Sequence, residues 1–240
     1  MHHLGFTRSA SERDHLLQTP DTFVRSPLPG MRKATAVVHV GPAAGARFAQ
    51  YTVEFEAGGM LSPTDAQRFV FVLEGALAEP RGLSAGQYLY TPAGEDVDVV
   101  ASSSTRAVVI EVPRVSVAPQ PAMFSGDEAS IAIKPFYGDH AIGMRALLPE
   151  SPTYDFAVMT MTFQPGASLP MVETHVMEHG LLMLTGEGIF RLGSKWYPVA
   201  AGDFIWMAPN CPQWFGALGK TPSKYLLYKD WNRSPLDGTR

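Results

Sequence analysis

The sequence predicts an all-β protein made of two tandem β domains. Three observations carry that prediction. The chain holds 22 Gly and 20 Pro, and they recur between short apolar runs, the punctuation of a many-turned β chain. No long segment repeats its apolar residues with the 3.6-residue helical period. The two halves also look alike. Gly59 pairs with Gly166, Val72-Leu-Glu-Gly75 with Met183-Leu-Thr-Gly186, and Ala85-Gly-Gln-Tyr-Leu-Tyr-Thr-Pro-Ala-Gly94 with Ala201-Gly-Asp-Phe-Ile-Trp-Met-Ala-Pro-Asn210. One large sandwich with a chance internal likeness is the alternative.

Taken in order, residues 1–33 are polar and irregular and read as an N-terminal arm, with a short helix over 11–18 as one reading. His2 and His3 read as an incidental start rather than a metal-binding pair. Strand-like runs follow at 34–40, 48–55, 68–73, 87–90 and 106–112, and assign the first domain to 34–115. Three prolines and little alternation over 113–130 mark a connection, placed at 116–130. Strand-like runs resume at 156–163, 180–184, 188–192, 195–199, 204–207 and 224–228, giving a second domain over 131–240.

Composition limits the function classes. Across 240 residues, 45% hydrophobic and 18% charged content is enough to bury a sizeable core. A net charge of −4 with scattered Lys and Arg argues against nucleic acid and anionic membrane surfaces. Apolar runs are short and broken by Gly, Pro or charge, so no membrane span is expected. Cys211 is the only cysteine, which excludes an intrachain disulfide and fits a reducing, cytoplasmic setting. The start of the chain has no secretion-signal pattern.

The chemistry concentrates after Gly166. Glu173 and His175 stand two residues apart, the spacing that points two side chains to one face of a strand. His179 follows just before the apolar run Leu181-Leu-Met-Leu184. A carboxylate and two imidazoles inside an apolar shell outline a divalent-metal site.

The repeated pattern resembles the cupin family of small jelly-roll β-barrels. Its first motif is Gly-x5-His-x-His-x3,4-Glu-x6-Gly and its second Gly-x5-Pro-x-Gly-x2-His-x3-Asn. The first half matches the second motif as Gly86 to Pro92 and Gly94, but Val97 stands where the His would be, and no His follows Gly59 in the first motif. The resemblance implies a metal-free N-terminal barrel with a structural or interfacial role. In the second half, Gly166-x6-Glu173-x-His175-x3-His179-x6-Gly186 keeps the site with its ligands rearranged, and Gln213 stands at the last His. One carboxylate, two imidazoles and an amide oxygen form a slightly harder set than the usual three His and one Glu. That suits Mn²⁺ or Fe²⁺ better than Zn²⁺, with other divalent metals open.

This variant, with Glu173-Thr-His-Val-Met-Glu-His-Gly180, Trp196 to Met207 and Tyr228-Lys-Asp-Trp-Asn-Arg233, resembles the bicupin (S)-ureidoglycine aminohydrolases of purine catabolism over essentially the whole chain. The resemblance implies manganese-dependent hydrolysis of ureidoglycine to ureidoglycolate and ammonia, in a homo-oligomer. It also implies that Lys229, Tyr225 and Phe190 border the substrate, that Lys229 beside Glu173 is a candidate catalytic residue for moving the proton, and that Phe190 replaces a family tyrosine, keeping the ring without its hydroxyl. Glu173, bound through one oxygen, could move a proton with the other or serve as a plain ligand. Glu178 reads as an outer or surface group, and Trp206 and Trp214 as barrel wall. Another metal-dependent cupin enzyme, a dioxygenase or isomerase, and a non-catalytic ligand-binding bicupin are the competing readings.

Overall fold

A computed structural model describes residues 6–230 apart from 117, 150 and 152, so His2, His3 and the Trp231–Arg233 part of the C-terminal motif lie outside the described residues. In chain order the strands are β1 (Ala10–Ser11), β2 (His15–Gln18), β3 (Arg25–Ser26), β4 (Met31–Val40), β5 (Ala49–Leu61), β6 (Gln67–Glu74) and β7 (Ala76–Glu79). Next come β8 (Leu83–Ser84), β9 (Gln87–Thr91), β10 (Val99–Ala101), β11 (Thr105–Val112), β12 (Phe124–Asp127), β13 (Lys134–Phe136) and β14 (Asp139–Ala146). The last are β15 (Phe156–Phe163), β16 (His179–Thr185), β17 (Glu187–Leu192), β18 (Lys195–Ala200), β19 (Phe204–Met207), β20 (Gln213–Leu218) and β21 (Ser223–Asp230). Helical structure among the described residues is confined to three short 3₁₀ turns. The chain is all-β, with curled sheets of the jelly-roll kind.

Two compact units divide the chain. One comprises residues 24–131 and 150–155, the other the remainder: the start of the chain to 23, 132–149, and 156 onward. In the first, β3 to β12 form a single sheet around Tyr51, Val53, Val70, Val72, Leu89 and Val109. Burial does not alternate along these central strands: residues 50–53 of β5 and 107–110 of β11 are each buried without a break.

The second unit pairs an eight-stranded sheet, in the order β1-β2-β19-β16-β21-β15-β14-β13, with a three-stranded sheet, β18-β17-β20. Leu181 and Met183 of β16, Leu227 of β21, and Leu192 and Phe215 of the smaller sheet share one core. Residues 11–18, where a short helix is one expectation, hold no helix: Ser11 ends β1, 12–14 bend the chain, and His15–Gln18 form β2. His15 and Leu17 are buried while Leu16 and Gln18 are half-buried, a two-residue period. The edge of β19 offers them a backbone ladder, with Leu17 opposite Ile205 and His15 opposite Met207. A four-residue stretch cannot hold a helix on its own hydrogen bonds. The expected arm is therefore divided: residues 6–23 build the second unit, and residues from 24 onward build the first.

The internal repeat has a steric basis at Gly75 and Gly186. Each links one strand to the next, at φ +79° and +74°. A Cβ at Gly75 would come within 2.3 Å of the Ser104 carbonyl oxygen, and one at Gly186 within 2.6 Å of Ser223 Cα. Glycine is required at both corners.

Candidate metal centre

The strand β15 ends at Phe163, and Gly166 at φ +81° turns the chain back along β20. An antiparallel ladder runs as far as Leu169, whose N donates to the Phe215 carbonyl at 2.9 Å, but the Gln213 carbonyl that would next accept from Met171 N accepts from Glu173 N, so two extra residues bulge out of the pairing. Pairing resumes at one position, where Glu173 and Gln213 exchange backbone bonds of 2.8 and 2.9 Å. Glu173 and His175 thus sit on an isolated bridge and a loop rather than on the regular strand their spacing suggested. The His175 carbonyl accepts from Asn210 N at 2.7 Å, and Asn210 adopts φ +65°, so the turn before Gln213 is fixed to the loop carrying the histidines.

His179 opens β16 and is buried. Its Nδ1 faces the Tyr228 carbonyl at 3.3 Å, and the His175 Nδ1 faces the Met177 carbonyl at 3.2 Å. A carbonyl only accepts, so each ring carries its proton on Nδ1 and a lone pair on Nε2. Those two lone pairs confront each other with the Nε2 atoms 3.0 Å apart. Two donors held at right angles about 2.1 Å from one cation are separated by about 3.0 Å, so the pair is spaced as cis ligands of a hard divalent ion. The Gln213 amide Nε2 donates to His175 Nε2 at 2.8 Å. A half-turn of the amide puts its oxygen at the same place. The donor set fits a divalent cation.

Burial holds both imidazoles neutral. It pushes His179 down to about 3, with the neighbouring His175 and Lys229 acting the same way. It also lowers His175. Burial raises the Glu173 carboxyl, and the nearby positive charge of Lys229 works against that rise. Glu173 is half-buried and lines the same cavity. Its carboxylate does not close on both imidazoles. Among the described residues, the group of His, Cys, Asp and Glu ligand atoms all within 4.8 Å of one another is Asp14, His15 and Cys211.

That second cluster differs in kind. His15 Nδ1 donates to Asp14 Oδ1 at 2.8 Å, and its Nε2 accepts from the Tyr197 hydroxyl at 2.8 Å. Burial pushes the Cys211 thiol up to about 11, so it stays protonated. No lone pairs are forced together, and the cluster is a hydrogen-bonded pin between the N-terminal segment and the turn leading to Gln213.

The substrate-binding candidates all line the cavity of about 150 Å³ above the imidazoles. That volume is well below the roughly 300–1,000 Å³ of drug-sized sites and suits a small polar molecule. Lys229 on β21 lies directly opposite His179 on β16. Tyr225, four residues before it on the same strand face, is buried and donates its hydroxyl to Met161 Sδ at 3.3 Å. Phe190 is buried against Phe215 at 5.2 Å between ring centroids and gives the cavity an apolar wall. Methionines 159, 161, 177 and 207 complete much of that wall. Glu178 is fully buried rather than a surface group, and accepts from Trp206 Nε1 at 3.2 Å. Trp214 Nε1 donates to the Leu169 carbonyl at 2.7 Å, tying the loop to the barrel wall. Phe136 and Tyr137 also line the cavity, and no motif or alternation in 134–146 marks either of them.

Residues 159–228, which span the two histidines and Gln213, match the family described as Cupin domain. Over 97% of its length the chain is 42% identical to the (S)-ureidoglycine aminohydrolase of Arabidopsis thaliana, covering 80% of that protein. It is 30% identical to the (S)-ureidoglycine aminohydrolase of Escherichia coli K12, with 90% of this chain and 88% of that one covered. The crystal structure of protein Ylba from E. coli superposes with a TM-score of 0.83 at 28% identity, covering 96% of this chain and 97% of that one.

Proposed function

The chain belongs to the (S)-ureidoglycine aminohydrolase family, and from that premise we infer that it hydrolyses (S)-ureidoglycine to (S)-ureidoglycolate and ammonia at a divalent-metal centre in its C-terminal barrel. The observation that supports the centre is the pair of confronted Nε2 lone pairs on His175 and His179, with the Gln213 amide beside them. Glu173, His175, His179 and Gln213 would hold the cation, and Mn²⁺ suits the mixed carboxylate, imidazole and amide donors, with Fe²⁺ next. Bound there, the cation supplies Lewis-acid polarisation and a template for the substrate.

The residues of the chain do the rest. Hydrolysis replaces a C–N bond by a C–O bond, so water loses a proton and the departing amine gains one. Glu173 is the carboxylate of the cavity, and burial raises its affinity for a proton. It takes the proton from water and delivers it to the amine as ammonia leaves. Lys229, beside His179 at the cavity wall, pairs its ammonium with the substrate carboxylate. Tyr225 and Phe190 shape the closed end, where the apolar wall limits the entry of bulk water. The N-terminal barrel carries no part of the chemistry.

We also read the enzyme as a homo-oligomer in the cytoplasm. The family resemblance supports the assembly, and a single buried cysteine fits a reducing compartment. Among the described residues, no helix is long and apolar enough to cross a membrane.

The test is ammonia release from ureidoglycine combined with a chiral assay of ureidoglycolate, because the substrate also decays spontaneously. Metal-loaded protein should form one enantiomer faster than the background, and chelator-stripped protein should not. Full activity in verified metal-free protein would overturn the metal centre. Racemic product at the background rate from metal-loaded protein would overturn the activity.

A further inference from the structure

We propose that Tyr137 is a substrate-positioning residue, held by a strained hairpin turn at the mouth of the metal cavity to engage the planar ureido end of the substrate. The proposal rests on the hydrolase reading above. Strands β13 and β14 pair with Phe136 opposite Asp139, which leaves Tyr137-Gly138 as a two-residue loop. Both have positive φ, +49° and +82°, the signature of a type I′ turn. Asn and Gly fit such positions, whereas a residue with a large side chain pays roughly 1 kcal/mol for its Cβ in the left-handed region.

Burial does not offset that strain, since Tyr137 is 76% exposed. Its ring touches that of Phe136, at 4.4 Å between centroids and 56° between planes, and both residues line the cavity. A residue that breaks a local rule without a gain in packing is best explained by a site. The metal ligands and Lys229 answer the charged groups of ureidoglycine, its amine and its carboxylate. The remaining ureido group is planar and uncharged, with a carbonyl acceptor. An aromatic face can stack on it, and a phenol can donate to its oxygen.

The variant Tyr137→Asn separates the two roles, because Asn-Gly is a favoured type I′ pair. Its melting temperature should equal or exceed that of the parent. Its KM for ureidoglycine should rise about tenfold with kcat within about twofold, the mark of binding shared by ground and transition states. Tyr137→Phe should recover the part of the affinity that comes from the ring. A KM for Tyr137→Asn within about twofold of the parent would overturn the role of Tyr137 alone. Parent protein with no ammonia release above background would overturn the hydrolase reading, and this role with it.

Discussion

Lys229 and His179 are direct cross-strand neighbours, on β21 and β16, so a cation-bearing side chain borders the imidazole pair without belonging to it. Replacing Lys229 by Met should leave the metal content of the protein unchanged and lower kcat/KM about a hundredfold, the scale of a lost charge-assisted contact. The positive charge of Lys229 also restrains the Glu173 carboxyl, so its removal lets that carboxyl titrate higher. The acid limb of the pH profile should then move to higher pH. Loss of metal in Lys229→Met would refute this division of labour.

The Gln213 side chain lies 2.8 Å from His175 Nε2, while its backbone exchanges bonds of 2.8 and 2.9 Å with Glu173. Gln213→Ala removes only the first. Metal affinity should fall by about 10–100-fold or more, while the melting temperature of the metal-free protein stays within a degree or two of the parent. Elemental analysis beside a thermal melt reads both.

Mn²⁺ at about a hundred times its dissociation constant should stabilise the protein by about 2.7 kcal/mol. The double variant His175→Ala with His179→Ala should lose that response. Calorimetric scans with and without the metal check it, and an undiminished response in the double variant would place the metal elsewhere.

The first unit carries its own pH dependence through His39. The ring is buried, its Nε2 is hydrogen-bonded to Thr52 Oγ1 at 2.8 Å, and burial lowers its pKa from 6.5 to about 3. Between those values the unfolded chain binds a proton that the folded chain refuses. Stability from His39 is therefore complete above about pH 6.5 and is lost as pH falls toward 3, by at most about 1.4 kcal/mol per pH unit. Urea unfolding at pH 7 and pH 5 should show a steeper loss in the parent than in His39→Gln, by about 2 kcal/mol. Equal slopes would contradict it.

Arg8 holds Asp203 with two bonds, from Nη1 to Oδ2 at 2.6 Å and from Nη2 to Oδ1 at 2.9 Å. Asp203 is fully buried and also accepts from Ala200 N at 2.8 Å, whereas the Arg8 side chain is 43% exposed. Arg8→Ala should destabilise the second unit by about 1 kcal/mol, discounted for that exposure. A shift of the urea midpoint checks the loss.

Much of this was legible in the sequence, for identifiable reasons. Gly75 and Gly186 stand where a Cβ would strike the neighbouring strand, so the repeat they mark is a steric necessity. His175, His179 and Gln213 come together although Gln213 opens β20, a strand with no clear alternating signal in the sequence. Motif spacing identified Gln213 where periodicity could not. The loop carrying Glu173 was harder to read, because the pairing jumps from Leu169 to Glu173 opposite Phe215 and Gln213, an irregularity that two-residue spacing alone does not reveal. Strand β2 was hardest, since His15-Leu-Leu-Gln18 becomes a strand only beside β19, and its partner lies at the far end of the chain.

That distance sets an order of events during synthesis. The segment 10–18 leaves the ribosome long before β19, its pairing partner, has been made. It must wait, unpaired, while residues 24–131 acquire a core of their own. A fragment covering only 131–240 would expose the edge of β19 that β2 covers, and an uncovered edge recruits other chains. The C-terminal barrel should therefore resist isolation as a contiguous piece, yet accept residues 6–23 supplied as a separate peptide.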